Sequence, residues 1–365
     1  GARDTISQMG PDVDGTFAAG NSGIVALSSD GGVLAVGAFA ANAARGVVRV
    51  YSWNPTFRSW SQIGLDIVGD NVADVSGYSL ALSDNGMRLA VGAVNFAGQV
   101  RVFEWDGIVW SLLGDRIVGV ADDYFGLHVD LSADGGVLAA TAPSNDSNGE
   151  NSGQTKIFSW DSQSQTWVQL GGSITGEGIG DEMGAYNVSL SSTGQTIAIG
   201  AWQNDGAGED SGHTRVFDWD GLQWLQRGSD IDGVAAGDRS GTSVSINSSG
   251  TMVAIGAPFN DAINENSGRV RVYEWIETEN VWSQKGQNID GEVATCSEGV
   301  IYSDSDGDGV TDSCGDESGW SSSISGDGLL LAIGAWKNDG NGDRSGQTRI
   351  YTWRDQTNRW EQVGE

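Results

Sequence analysis

Cysteine, histidine and proline are scarce in this 365-residue chain, at 2, 2 and 4 residues. Basic residues are few as well: 19 Lys and Arg stand against 49 Asp and Glu, a formal charge of -30. That balance repels phosphate backbones and anionic lipid and excludes nucleic acid as a partner. No apolar run approaches the roughly 18 to 20 residues of a membrane helix, so direct membrane insertion is not expected. The opening Gly1-Ala2-Arg3-Asp4 lacks the charged start and apolar stretch of a signal peptide, and reads as the start of a mature soluble product or an excised fragment. The two histidines, His128 and His213, lie far apart, and there is no Gly-x-Ser-x-Gly elbow, phosphate-binding glycine loop or histidine cluster. On these absences no catalytic residue is assigned, and the chain is expected not to be an enzyme.

What is abundant is glycine, 56 residues, with only 19% charged and 38% hydrophobic positions. This composition supplies turns and strands but little for long helices, and points to an all-β chain. Its length is too great for one ordinary core, which favours a core that grows by repetition. One pattern recurs from Gly23, Gly77, Gly126, Gly184, Gly241 and Gly319, at spacings of 54, 49, 58, 57 and 78 residues. Periods of that size mean propellers or solenoids. Each copy holds four strand-like runs, as in residues 243–246, 252–256, 270–275 and 282–284, joined by turns such as Ser28-Ser29-Asp30-Gly31 and Trp105-Asp106-Gly107. Four antiparallel strands per unit make a β-propeller blade. One domain over residues 1–365 is expected, with six blades, or seven if the chain belongs to a longer one.

The second strand of each copy says how the blades pack. Leu34/Val36, Leu89/Val91, Val253/Ile255 and their counterparts point one way, and Ala35/Gly37, Ala90/Gly92 and Ala254/Gly256 the other. A bulky face on one blade can then seat in the bare face of its neighbour.

With Phe125-Gly126 and Gly256-Ala257-Pro258 in the ordered copies, the unit resembles the FG-GAP repeat, which is related to the propeller repeats of integrin α-chains. The resemblance implies a propeller of the kind that serves as adhesion platform, receptor domain or part of an enzyme. Integrin-like repeats carry calcium in a long loop between the first two strands. Here that connection is a tight Ser/Gly turn in all six copies, so those sites are not carried over.

Ile6-Ser7-Gln8-Met9-Gly10 resembles the fourth-strand words Trp60-Ser61-Gln62-Ile63-Gly64 and Trp360-Glu361-Gln362-Val363-Gly364. Seven such words serve six blades. The extra one can close the ring beside the last blade, which is the preferred reading, pair with a neighbouring molecule, or be the stub of a preceding blade. Outward donation of a terminal strand would give head-to-tail self-association.

Loops such as Asn145-Asp146 to Ser152-Gly153 and Asn338-Asp339 to Ser345-Gly346 make one rim acidic, and Asx-turns account for them, with weak cation binding as the alternative. Asp74, Asp123, Asp181, Asp238 and Asp316 each stand three residues before the next blade's glycine, and are expected to bond loop N–H groups or pair with the third-strand bases Arg49, Arg101, Lys156, Arg215, Arg271 and Arg349. Twelve of the fifteen tryptophans recur at the third and fourth strands and are expected to stack there. Trp202, Trp320 and Trp336 break that pattern. They are the candidate ligand-binding residues, an aromatic platform beside carboxylates, with core packing as the alternative. Asn145, Asn187 and Asn247 open glycosylation sequons.

Residues 292–318 form an insertion between blades 5 and 6, and hold Cys296 and Cys314. A local disulfide between them is expected rather than a thiolate metal site, which points to an oxidising compartment. Between them Asp304, Asp306 and Asp308 occupy calcium-loop positions 1, 3 and 5, Gly309 position 6, the Val310 carbonyl position 7 and Asp312 position 9. The segment resembles thrombospondin type 3 and dockerin-like calcium loops, with Gly315 where an EF-hand has its bidentate Glu. Ca²⁺ is the expected ion. The whole reads as an extracellular or cell-surface module, calcium-stabilised and non-catalytic, acting in adhesion or structure by binding a protein or glycan partner through its acidic loop face. The alternative is a carbohydrate-active hydrolase or lyase using channel carboxylates.

Overall fold

The computed structural model describes residues 8–15, 20–95, 97–292, 315–340 and 344–364. Six antiparallel sheets follow one another along the chain, and the protein is a β-propeller of six four-stranded blades. Blade 1 has strands Ser22–Leu27, Val33–Ala38, Val47–Asn54 and Ser59–Gln62, in that spatial order. Blade 6 repeats it with Ser318–Ile324, Leu330–Ala335, Gln347–Arg354 and Arg359–Val363. In the first five blades a two-residue strand, such as Ile67–Val68 or Ile289–Asp290, adds to the far side of the third strand. The chain divides into two compact units, and the boundary falls within the fourth blade.

The period-two alternation does the packing that it foretells. Leu89, Val91 and Phe103 of blade 2 bury against Ala35, Val48 and Val50 of blade 1. Leu331, Ile333 and Tyr351 of blade 6 bury against Ala254, Val270 and Val272 of blade 5. These side chains lose nearly all contact with water, which stabilises each junction by roughly 1.5–3 kcal/mol per large side chain. The bare face must stay bare. A methyl group added at Gly256 would collide with the Gly319 carbonyl oxygen of the next blade.

Six tryptophan pairs stack as expected at the third and fourth strands, with ring centroids 5.3 Å apart in Trp53/Trp60 and 5.4 Å in Trp353/Trp360. The second ring of each pair also ties blades together. Its Nε1–H donates to the carbonyl of the residue just after the preceding blade's fourth strand, from Trp110 to Ile63 at 3.3 Å, Trp224 to Leu170 at 2.9 Å and Trp282 to Arg227 at 2.9 Å. Trp60 makes the same bond, 3.3 Å, to the Met9 carbonyl. Met9 thus occupies, on the first blade, the seat that the residue after a preceding fourth strand takes elsewhere.

Asp181 and Asp238 follow the first of the two expected roles. Asp181 accepts the Glu177 and Gly178 N–H groups at 2.9 and 2.8 Å, and Asp238 those of Val234 and Ala235 at 3.1 and 3.0 Å. The third-strand bases reach other groups. Arg271 donates to the Asp232 carbonyl at 2.6 Å, and Arg349 to the Asp290 carbonyl at 3.0 Å and the Ser318 hydroxyl at 2.7 Å.

Candidate functional site

The acidic rim loops are built to satisfy themselves. Asn204 Oδ1 accepts the Gly206 N–H at 2.8 Å, Asp205 that of Asp210 at 2.9 Å, and the Ser211 hydroxyl donates to the Asn204 carbonyl at 3.2 Å. The same three bonds recur at Asn145/Asp146/Ser152, Asn260/Asp261/Ser267 and Asn338/Asp339/Ser345. These are the Asx-turns that the sequence suggests, and they leave the rim's distinct chemistry to its rings.

The residue after each junction acid sits in the left-handed region: Val75 (φ 56), Tyr124 (φ 54), Glu182 (φ 45), Arg239 (φ 52) and Glu317 (φ 50). For a non-glycine residue this conformation costs about 1–2 kcal/mol, and it recurs because the capped loop before it and the blade glycine two residues later hold it there. The residue type at this position changes from blade to blade. In blade 5 the choice is Arg239, whose guanidinium lies 4.7 Å from the Trp202 ring centroid and 4.4 Å from that of Phe259. In blade 6 it is Glu317, 1% exposed, which accepts the Trp336 Nε1–H at 2.5 Å and pairs with the Lys337 ammonium at 2.6 Å.

The three exceptional tryptophans join through these residues. Phe259 meets Trp320 edge-on at 6.2 Å, Trp320 meets Trp336 at 5.6 Å, and Lys337 lies 5.0 Å from the Trp336 centroid. The result is a row, Trp202–Arg239–Phe259–Trp320–Trp336, in which an arginine lies against two rings. Trp336 is 43% exposed, and the other members are half-buried. Sequence reasoning found the tryptophans and missed Arg239, Phe259, Glu317 and Lys337. The available signal was the one position, just after each repeated acid, whose residue type changes from blade to blade. Beside Trp336, a groove of about 410 Å³ opens along Trp320, Ser321, Gly334, Gly346, Gln347 and Thr348.

Other expected site residues fall as follows. Asn247 is 3% exposed, with its Oδ1 accepting the Thr251 and Met252 N–H groups at 2.9 Å, and Asn145 and Asn187 are half-buried. His213 is buried, its Nδ1 3.9 Å from Asp230 and 4.0 Å from Asp232. Asp304, Asp306, Asp308, Val310 and Asp312, with Cys296 and Cys314, lie outside the described residues. The calcium and disulfide expectations thus rest on spacing alone.

Comparison with known proteins bears on this geometry. Residues 305–351 match the FG-GAP repeat. The match spans most of the sixth blade. Among curated proteins no sequence matches the chain. Solved structures share its fold: a candidate 6-phosphogluconolactonase of Bacteroides uniformis is 11% identical, covering 93% of this chain and 83% of that one with a TM-score of 0.61. The periplasmic gluconolactonase PpgL of Pseudomonas aeruginosa is 13% identical, with coverage of 93% and 84% and a TM-score of 0.57. Hydrazine synthase of Kuenenia stuttgartiensis is 14% identical, with coverage of 95% and 80% and a TM-score of 0.54. At such identities the likeness is one of fold.

These likenesses correct one expectation. The reading of the chain as no enzyme does not stand, because structural neighbours that cover over nine-tenths of it are named as lactonases. The physical reason lies in how a propeller builds a site. Its groups come from separate blades, so the lack of an elbow or loop motif in any one stretch excludes little.

Proposed function

We propose that this FG-GAP-like propeller is a carbohydrate-active hydrolase whose sugar seat is the aromatic row of blades 4 to 6. The observation that carries the reading is Arg239 lying against Trp202 and Phe259, with Trp320 and Trp336 continuing the row. Ring faces stack against the apolar faces of pyranose rings, and a guanidinium supported by two rings presents forked N–H donors to a carboxylate or lactone oxygen. In a chain of net charge -30, such a cation is a local exception that selects an anionic or strongly polar sugar. Glu317, engaged by Lys337 and Trp336, fixes the end of the row rather than reacting. The names of two structural neighbours, both lactonases, favour a sugar lactone as the first substrate to try.

The test is a titration of aldonolactones, uronic-acid oligosaccharides and neutral glycans, followed by tryptophan fluorescence and by acid release at constant pH. Saturable quenching with turnover of at least one class is expected. Trp320→Ala should weaken binding of every sugar that quenches. Arg239→Ala should weaken acidic sugars about tenfold more than neutral ones, the size of one supported cation contact. A chain that neither quenches nor releases acid would remove the reading.

A further inference from the structure

Blade 4 departs from its neighbours at one spot outside the aromatic row. In each of the first five blades the opening residue of the third strand faces a residue of the two-residue strand beyond it: Val47 faces Val68, Gln99 Val118, Gln154 Thr175, His213 Asp232 and Arg269 Asp290. Directly opposed residues of an antiparallel pair put their side chains on one face, and a residue two positions along a strand shares that face. Two positions before the second member of each pair stand Asp66, Arg116, Ser173, Asp230 and Asn288. Of these five blades, only the fourth brings an imidazole and two carboxylates together there.

The distances set this trio apart from an ordinary ion pair. In blade 5 the corresponding Arg269 Nε and Asp290 Oδ1 close to 2.6 Å. In blade 4 His213 Nδ1 stands 3.9 Å from Asp230 Oδ2 and 4.0 Å from Asp232 Oδ1, too far for a hydrogen bond to either. Zinc bonds imidazole nitrogen and carboxylate oxygen at about 2.0–2.2 Å, so two atoms that share one ion lie at most about 4.4 Å apart. Both separations fall between the two limits. The other oxygen of Asp230 is steadied, since Oδ1 accepts the Gln226 Nε2–H at 2.6 Å, the kind of support that orients a metal-binding carboxylate. Nearby cations are directed elsewhere: Arg271 donates to the backbone carbonyl of Asp232 at 2.6 Å, and the Arg215 guanidinium lies 5.3 Å from the Phe217 ring centroid. A pocket of about 290 Å³, lined by Ser229, Asp230, Ile231, Asp232, Tyr273 and Trp282, opens beside the two acids. All of these residues belong to one of the two compact units.

We infer that His213, Asp230 and Asp232 hold a divalent transition-metal ion, of which Zn²⁺ is the type. One imidazole with two carboxylates suits zinc better than calcium, which takes oxygen ligands. Three protein ligands leave a further position for water on the pocket side. This site shares no residue with the sugar seat or with the Asp304–Asp312 spacing, and it stands without either.

The experiment titrates the full, metal-free chain with Zn²⁺, and with Co²⁺, whose visible absorption reports its ligands, at fixed pH and salt. Cys296→Ser/Cys314→Ser serves as the background, so that no thiolate takes the ion. One equivalent should bind, and Zn²⁺ should displace Co²⁺ from it. His213→Gln installs the residue that blades 2 and 3 carry at this position, and Asp232→Thr the one that blade 3 carries, so both suit the fold. Loss of a mere supporting partner weakens a metal by about 10–100-fold, and each of these variants should weaken it by at least the upper figure. Circular dichroism verifies that their sheets are intact; Asp230→Asn, which keeps an acceptor for Gln226, replaces either one that fails to fold. Asp306→Asn with Asp308→Asn should leave the equivalent in place. A background chain that takes up no equivalent of either ion overturns the inference. So does uptake that persists undiminished in the folded variants, which would mark adventitious surface binding only.

Discussion

His128 and Asp130 stand two residues apart at the inner strand of blade 3, and their titrations oppose each other. Asp130 accepts N–H groups from Leu190 of the next blade at 2.7 Å and from Leu131 at 2.8 Å, yet burial, with the nearby charge of Asp84, pushes its carboxyl up to about 7. In blade 5 the same bond to the next blade is made by Ser245, which has no charge to bury. His128 is pushed down to about 4 by burial. Between about pH 4 and 7 the folded chain keeps the Asp130 proton that the unfolded chain releases, so this group lowers stability as pH rises. Over about pH 4 to 6.5 the unfolded chain takes up a proton at His128 that the folded chain refuses, so this group raises stability as pH rises. The two slopes oppose each other in wild type. Asp130→Asn, which keeps an acceptor, should uncover the histidine slope and make Tm climb from pH 4.5 to 6.5. His128→Gln should uncover the opposite one. Both side chains keep some solvent contact, which limits each effect to about 1–2 kcal/mol. Identical Tm profiles for the two variants would refute the pairing of opposed groups.

At the scale of the element, a blade junction is a capped loop, a left-handed residue and a glycine. The acid is the part that can be removed without touching the packing. Asp181→Ala would leave the Glu177 and Gly178 N–H groups without their acceptor, at a cost of about 1–3 kcal/mol, while Asp181→Asn should recover much of it. Urea melts of the two variants measure the difference. Trp224→Phe, which keeps a ring but loses the Nε1–H bond to Leu170, should cost about 1 kcal/mol for the bond plus the smaller ring's packing. These elements were legible in the sequence because they are periodic. Alternation of Leu/Val with Ala/Gly, the recurring Trp pairs and the acid before each glycine all repeat, and repetition exposes a structural role. The row at Trp202, Arg239, Phe259, Trp320 and Trp336 repeats nothing. Its members come from three blades and are brought together only by the sheets that carry them, so linear spacing gave no hint that Arg239 lies against two rings. Trp320 and Trp336 could be singled out as departures from the pattern, whereas Arg239 and Glu317 look like ordinary surface charges until their left-handed backbone is seen.

For the whole molecule the dominant quantity is charge. Forty-nine acids against nineteen bases put like charges on every blade, and the ion pairs among described residues, such as Arg49–Asp66 at 2.9 Å and Arg269–Asp290 at 2.6 Å, engage bases that are already outnumbered. The remaining acids repel one another more in the folded chain than in the expanded one. Raising NaCl from about 10 mM to about 0.5 M shortens the screening length from about 30 Å to a few ångströms, so Tm should rise steeply and then level off. Calcium at matched ionic strength separates screening from a specific ion. If the Asp304–Asp312 spacing holds Ca²⁺, CaCl₂ should raise Tm beyond the sodium value, and Asp306→Asn with Asp308→Asn should erase only that excess. Equal Tm in the two salts would leave screening as the whole effect and remove calcium from the account. A Tm that falls with added NaCl would mean instead that attractive pairs outweigh the repulsion, against what the composition requires.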